Sequence, residues 1–255
     1  MNSALSAQLE KFIPITLEEM DCVKLLDRTD TKFVFNSENL PGILEDLAPN
    51  YKILDVQGIN LNRYESLYFD TPGFKLYLDH HNRRRNRYKV RYRRYADTGL
   101  VFFEVKTKNK KGRTIKSRLK RKELSQEIDP RSEQMLKEKV PFCREKFQSM
   151  LWVNYSRLTL VNKYEPERLT IDLDLELKTQ NKSVRHGNLV IAEVKQDKQS
   201  FSAFMNVMKK NQIRKGSISK YCFGVISLID HIKKNNFKPA LLNIKRKEEG
   251  SNPES

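Results

Sequence analysis

Arg87-Tyr88-Lys89-Val90-Arg91-Tyr92-Arg93-Arg94-Tyr95, then Ala96-Asp97-Thr98-Gly99, then Leu100-Val101-Phe102-Phe103-Glu104-Val105-Lys106-Thr107-Lys108 is the stretch whose reading decides the fold. Side chains alternate between the two faces of a strand. Arg87, Lys89, Arg91 and Arg93 therefore share one face, against Tyr88, Val90 and Tyr92 on the other. In the next run Glu104, Lys106 and Lys108 oppose Val101, Phe103 and Val105. The Asp97-Thr98-Gly99 and Asn109–Gly112 connections carry hairpin turn residues, which predicts a third strand over Arg113–Leu119, with Thr114, Lys116 and Arg118 opposite Ile115 and Leu119.

Working outward, the same two-faced pattern returns. Arg168, Thr170, Asp172, Asp174 and Glu176 oppose Leu169, Ile171, Leu173, Leu175 and Leu177, and Glu193 and Lys195 oppose Val190, Ala192 and Val194. Thr29–Phe35, Asn60–Asp70 and Trp152–Lys163 read as further strands, about eight in all, while the Phe74–Leu78 piece is short and ambiguous. Helical signals occupy Leu40–Leu47, Lys122–Met150 and Ser200–Lys234, the last broken near Gly216. Residues 1–26 read as an N-terminal helical segment, 27–235 as one domain, and 236–255 as a charged, disordered tail.

With 49 Lys+Arg against 32 Asp+Glu, the formal charge of +17 asks for a polyanionic partner. An antiparallel sheet ordinarily turns such a charged face to water. Like charges side by side on neighbouring strands are destabilising, however, and three consecutive strands here stack Lys and Arg together. Rolling the sheet with this face inward makes an α+β fold, an eight-stranded antiparallel β-barrel tunnel with a polar, basic interior and helices packed outside. Arginine in such a tunnel binds phosphate oxygens as a planar fork. The expected layout segregates the basic residues from a group of carboxylates that would take a metal. No P-loop motif, no His or Cys ligand spacing, no signal peptide and no apolar run long enough to cross a bilayer is visible, so a cytoplasmic location is expected.

Arg28-Thr29-Asp30-Thr31-Lys32-Phe33, Tyr68-Phe69-Asp70-Thr71, Val90-Arg91-Tyr92-Arg93, Phe103-Glu104-Val105-Lys106, Arg168 to Asp172, Ala192-Glu193-Val194-Lys195 and Ser219-Lys220-Tyr221 follow one another in order. Together they resemble the catalytic domain of the vacuolar transporter chaperone (VTC) complex, a triphosphate tunnel metalloenzyme of the CYTH-like superfamily. The resemblance runs from about Asp27 to Ile229. It implies an ATP-dependent polyphosphate polymerase, with ATP and inorganic polyphosphate as partners and Mn²⁺ or Mg²⁺ as cofactor. By matching position it assigns Arg91, Arg93, Lys106 and Arg168 to catalysis. Lys32, Lys116, Arg157 and Lys220 bind phosphate, with Arg28 and Lys195 at the margin of the set, and Glu193 binds the metal. Asp172 and Asp174 are further oxygen candidates for the metal, with pairing to Lys and Arg as the alternative.

The Glu-x-Glu-x-Lys start of the wider superfamily is replaced by Arg28-x-Asp30-x-Lys32. Neither a phosphate-sensing domain nor membrane helices accompany the match, which leads to the expectation of a stand-alone soluble member. Two rival functions stay open: a tripolyphosphatase or nucleoside-triphosphate phosphohydrolase on the same fold, and a non-catalytic nucleic-acid binder. The binder needs aromatics among the charges to stack bases. Tyr88, Tyr92 and Phe103 lie on the opposite face, with Tyr95 the main exception, so no nucleic-acid partner is expected.

Overall fold

The computed structural model describes residues 3–22, 28–110, 114–141, 146–197, 201–216 and 219–250, with the side chains of residues 3, 4, 21, 22, 28 and 197 outside that description. Eight strands form one antiparallel path, and they are the eight that alternation picks out. They are β2 (Arg28–Asn36), β4 (Asn62–Asp70), β5 (Arg87–Tyr95), β6 (Val101–Lys108), β7 (Thr114–Arg121), β8 (Gln148–Asn162), β9 (Glu167–Lys178) and β11 (Leu189–Asp197). Their order is β2-β11-β9-β8-β4-β5-β6-β7. Three short strands hang from it: β1 (Ile13–Ile15) runs parallel to β3 (Tyr51–Leu54), β3 pairs β8, and β10 (Ser183–His186) pairs β9. The N-terminal segment carries helices α1 (Ser3–Leu9) and α2 (Leu17–Cys22), and between them Ile13-Pro14-Ile15 joins the sheet.

The expected closed barrel is also corrected. Among the described residues β2 and β7 are the two ends of the path and do not pair. The reason lies at the outer edge of β2. There the Gly216 N–H donates to the Lys32 carbonyl (2.9 Å) and Lys215 bridges Phe33, so those backbone groups are already used. β7 is left as an edge, and Lys116, Arg118 and Lys120 supply the charges that protect an edge from pairing.

Most helices cover the apolar outer face, as alternation requires. Helices α1, α3 (Leu40–Leu47) and α6 (Ala203–Lys210) bury Leu9, Ile43, Leu44, Leu47 and Phe204 against β2, β8, β9 and β11. Helix α5 (Pro130–Lys139), the only helix in the Lys122–Met150 stretch among its described residues, packs Leu136 on β5 and β6. Helix α7 (Lys220–Leu228) departs from the expectation that all helices lie outside. Its Tyr221, Phe223 and Val225 cluster with Val34, Leu151, Leu177 and Ile191, which share the face of Lys32 and Glu193, so α7 fills one end of the inner face. Gly224 permits the approach, because a Cβ there would meet Leu151 Cδ1 at 2.7 Å. The expected disordered tail is instead helix α8 (Lys238–Glu249) over most of its length. Ile244 is buried beside α7, and the Glu248 carbonyl accepts from the Asn36 side chain. No helix among the described residues is long and apolar enough to cross a membrane.

Candidate functional site

The inner face is built by cross-strand register. Lys89, Lys106 and Lys116 stand side by side on β5, β6 and β7, and the next row is Arg91, Glu104 and Arg118. At the other end of the path Lys32, Glu193 and Thr170 form a row, followed by Asp30, Lys195 and Arg168. The sheet curls until these ends face one another. Asp30 and Lys32 from β2 line the same cavity, about 260 Å³, as Lys89, Lys106, Lys108 and Thr114. Burial lowers the pKa of Lys106, and Glu193 across the space works against that shift.

The carboxylates are not segregated from the cations, which corrects the expected layout. Glu104, 2% exposed, accepts from Arg91 (2.8 Å) and is paired with Lys116. Asp172, 3% exposed, takes both prongs of Arg157 (2.5 and 2.8 Å) and also Lys220. Glu193 pairs with Lys32 at 2.8 Å and Lys195 at 3.6 Å. Burial alone would raise all three carboxyls, yet the neighbouring cations overcome it: Arg91 chiefly holds Glu104 well below the carboxylate range, Arg157 does so for Asp172, and Lys195 and Lys32 bring Glu193 down to about 2. Each carboxylate is a fixed anion holding cations in place in a poorly solvated space.

Three tyrosines to which the sequence analysis gave no role, Tyr64, Tyr68 and Tyr155, complete the wall. Tyr68 Oη accepts from Arg91 (2.7 Å), and Tyr155 Oη accepts from Arg93 (2.8 Å), whose Nε also donates to Ser66. Burial would raise the Tyr68 phenol, but Arg91, Arg93 and Lys89 together take it down to about 8. Arg157 lies over the Tyr64 and Tyr155 rings (5.0 and 5.2 Å) and Lys220 over Tyr155 (4.7 Å). These rings orient the cations above them. Tyr64 and Tyr68 reach this face through the pairing of β4 with β5 and β8, since within β4 the charged Arg63 and Glu65 lie on the opposite side.

Of the residues singled out from sequence, Arg91, Arg93, Lys106, Lys116, Arg157, Lys220, Lys32, Lys195 and Glu193 line this face. Arg168 shares a row with Lys195 but reaches out to the Met20 carbonyl at 3.1 Å. Arg28 is opposite Asp197 in the ladder, and its side chain lies outside the described residues. Asp174 leaves the site, a correction with a plain cause. A β-bulge shifts the β8–β9 register there, Asp174 takes a left-handed φ of 52°, and it pairs outward with Arg185 (3.3 Å). Beyond the bulge Leu175 and Leu177, not Asp174 and Glu176, point under α7. Asp172 is engaged as the counter-ion of Arg157 and Lys220, the pairing that stood as the alternative to metal ligation.

Asp70, in the Tyr68-Phe69-Asp70-Thr71 segment, is structural. It accepts from the N–H groups of Thr71, Leu76 and Tyr77 at the start of α4 (Lys75–His81) and from the Tyr221 hydroxyl, tying α4 to α7.

Among the described residues no three Asp, Glu, His or Cys side chains converge as a metal cage. The donor chemistry nevertheless fits a hard divalent cation shared with a ligand. Such ions take one or two carboxylates and complete their shell with phosphate oxygens and water. Glu193 is ionised and partly open, with 21% of its side chain exposed.

The VTC domain family model matches residues 27–229. No curated protein matches the chain. Solved structures with a similar outline include a putative adenylyl cyclase, HpAC1 from Hippeastrum, with a dominant triphosphatase activity (14% identity, TM-score 0.49, covering 79% of this chain and 96% of that one). Others are the PH1819 protein from Pyrococcus horikoshii OT3 (14% identity, TM-score 0.44, 78% and 96%) and a conserved hypothetical protein from Pyrococcus furiosus (13% identity, TM-score 0.39, 73% and 92%).

Proposed function

The chain belongs to the VTC domain family, and from that premise we propose that it is a divalent-metal-dependent phosphotransferase that adds the γ-phosphate of ATP to a polyphosphate chain. The observation that carries this reading is the cavity in which Asp30 and Lys32 face Lys89, Lys106 and Lys108 across the curled sheet. A linear polyanion lying there meets cations from both ends of the sheet, so the trough serves as a tunnel for it without β2–β7 hydrogen bonds.

Phosphoryl transfer depends on position and on neutralising the charge of the transferred group. Arg91 and Arg93 present guanidiniums already oriented by Glu104, Tyr68, Ser66 and Tyr155, so little reorganisation accompanies binding. Lys106 and Arg168 act with them on the transferred phosphoryl. Lys32, Lys116, Arg157, Lys195, Lys220 and Arg28 hold the rest of the chain. Glu193 would hold Mn²⁺ or Mg²⁺, which, when bound, supplies charge neutralisation at phosphate oxygens. A terminal phosphate oxygen of the existing chain attacks the γ-phosphorus, the bond from that phosphorus to the β–γ bridging oxygen breaks, and ADP leaves.

The test is to incubate the pure protein with ATP and Mn²⁺ and resolve the products on a gel. Long polymer is the expected product, and Glu193→Gln lowers its rate by about 10²-fold or more. Orthophosphate alone would replace this reading with a hydrolase. Neither product, together with nucleic-acid affinity that collapses with salt, would overturn both in favour of a binder.

A further inference from the structure

Beside the cationic cavity lies a second space of different chemistry. About 150 Å³ opens between α7 and α8, lined by Phe223 and Ile226 on one side and Phe237, Ala240, Leu241 and Ile244 on the other. Each set recurs at helical spacing, so two apolar stripes face each other without closing the gap. Protein interiors are close-packed, and an unfilled void between apolar stripes is destabilising. Apolar cavities of roughly 150 Å³ take up a single aromatic ring.

His80 and Arg87 line both spaces. His80 Nε2 lies 3.3 Å from the Tyr88 carbonyl, and burial, helped by Lys89 and Arg87, pushes its pKa down to about 3. A neutral imidazole thus stands where the cationic space meets the apolar one. Among the described residues, Arg87 Nε is buried with no hydrogen-bond partner, a donor left without an acceptor in a protein where such groups are few.

We infer that the α7–α8 cavity receives the nucleobase of a nucleoside triphosphate whose phosphates lie in the cationic cavity, with Arg87 donating to the ribose–phosphate junction between them. This rests on the phosphotransferase reading and extends it, because α8 begins at Lys238, outside the matched residues 27–229. A polyphosphate chain has no group suited to an apolar gap, whereas a planar base does. The site therefore separates the nucleotide donor from an inorganic chain of equal or greater charge.

Calorimetric titration of the full chain with ATP and, separately, with inorganic tripolyphosphate, both in Mg²⁺, tests this. Tripolyphosphate carries the higher charge, so electrostatics alone would make it the tighter ligand. The expected result is ATP binding at least tenfold tighter, which is about 1.4 kcal/mol. In Ala240→Phe, which fills the gap, ATP affinity falls to the level of tripolyphosphate while tripolyphosphate affinity is unchanged. If a melt shows that variant unfolded, the smaller Ala240→Val is used for the same comparison. Equal wild-type affinities, or a variant that weakens both ligands alike, overturn the base site and leave the phosphate site standing. Failure of the wild type to bind either ligand overturns both.

Discussion

Replacing Asp172 by Asn removes one negative charge from a nearly dry setting and leaves two cations there. Arg157 spends both prongs on this carboxylate, Lys220 shares it, and their side chains are only 18% and 16% exposed. Lys220 also opens α7, where a positive charge is unfavourable against the helix dipole without a counter-ion. Removing one partner of a buried ion pair costs about 3–5 kcal/mol. At roughly 2–4 °C per kcal/mol for a chain near this size, the melting temperature should fall by about 6–20 °C. The cations remain held over Tyr64 and Tyr155, so the site survives with an unneutralised charge. Tripolyphosphate should then raise the melting temperature of Asp172→Asn by more degrees than that of the wild type, since it supplies the missing anion. Differential scanning fluorimetry with and without ligand reads both effects. A fall below about 2 °C would refute the argument. A variant of normal stability that has lost only its metal response would instead make Asp172 a metal ligand.

Acid should unfold the protein in two stages. The lowered pKa of His80 means that the unfolded chain binds a proton there that the folded chain refuses, so stability present above about pH 6.5 declines as the pH falls below it. Glu104, Asp172 and Glu193 are also lowered, so their contribution is complete above about pH 4 and is lost as the pH falls toward the folded value, about 2 for Glu193. Urea midpoints from pH 2.5 to 8 should show both limbs, and His80→Gln should flatten only the upper one; an unchanged upper limb counts against the buried neutral imidazole. Ile244→Ala, 5% exposed in the wild type, should cost about 2 kcal/mol or more in urea unfolding, whereas a tail with no helix would register nothing.

The strands were legible because their faces differ so sharply. Val90, Phe103 and Val105 alternate with Lys89, Glu104 and Lys106, and one residue of slip would bury the charges in the outer core. The short strands β1, β3 and β10 have three or four residues each, too few for a period to emerge. The tail misled for a related reason. Residues 245–249 are all charged and dominate the composition of the tail, while Leu241 and Ile244, three apart, are what pack on α7. The open seam was illegible, because it depends on Lys215 and Gly216 reaching the edge of β2, a contact spanning almost the whole chain.

The site divides along the same line between local and distant pairing. The Asp97-Thr98-Gly99 turn sets Arg94 opposite Val101, and three further pairs along the ladder Arg91 stands opposite Glu104. That ion pair was within reach of the sequence once the hairpin was accepted. The Asp172 clamp was not: Arg157 faces it across a ladder interrupted by a bulge, and Lys220 arrives from a helix 48 residues away. The consequence is physical as well as predictive. Three lysines abreast on β5, β6 and β7 repel one another, and Glu104 in the adjoining row offsets only part of that. The remaining repulsion is tolerable in a curled sheet because Asp30 of β2 and Glu193 of β11 face it from the other end of the path and act on Lys106 across the cavity. On the proposed reading, a polyanion entering that space takes over a neutralisation that distant carboxylates otherwise perform, and the curl and the binding of phosphate then have one electrostatic origin.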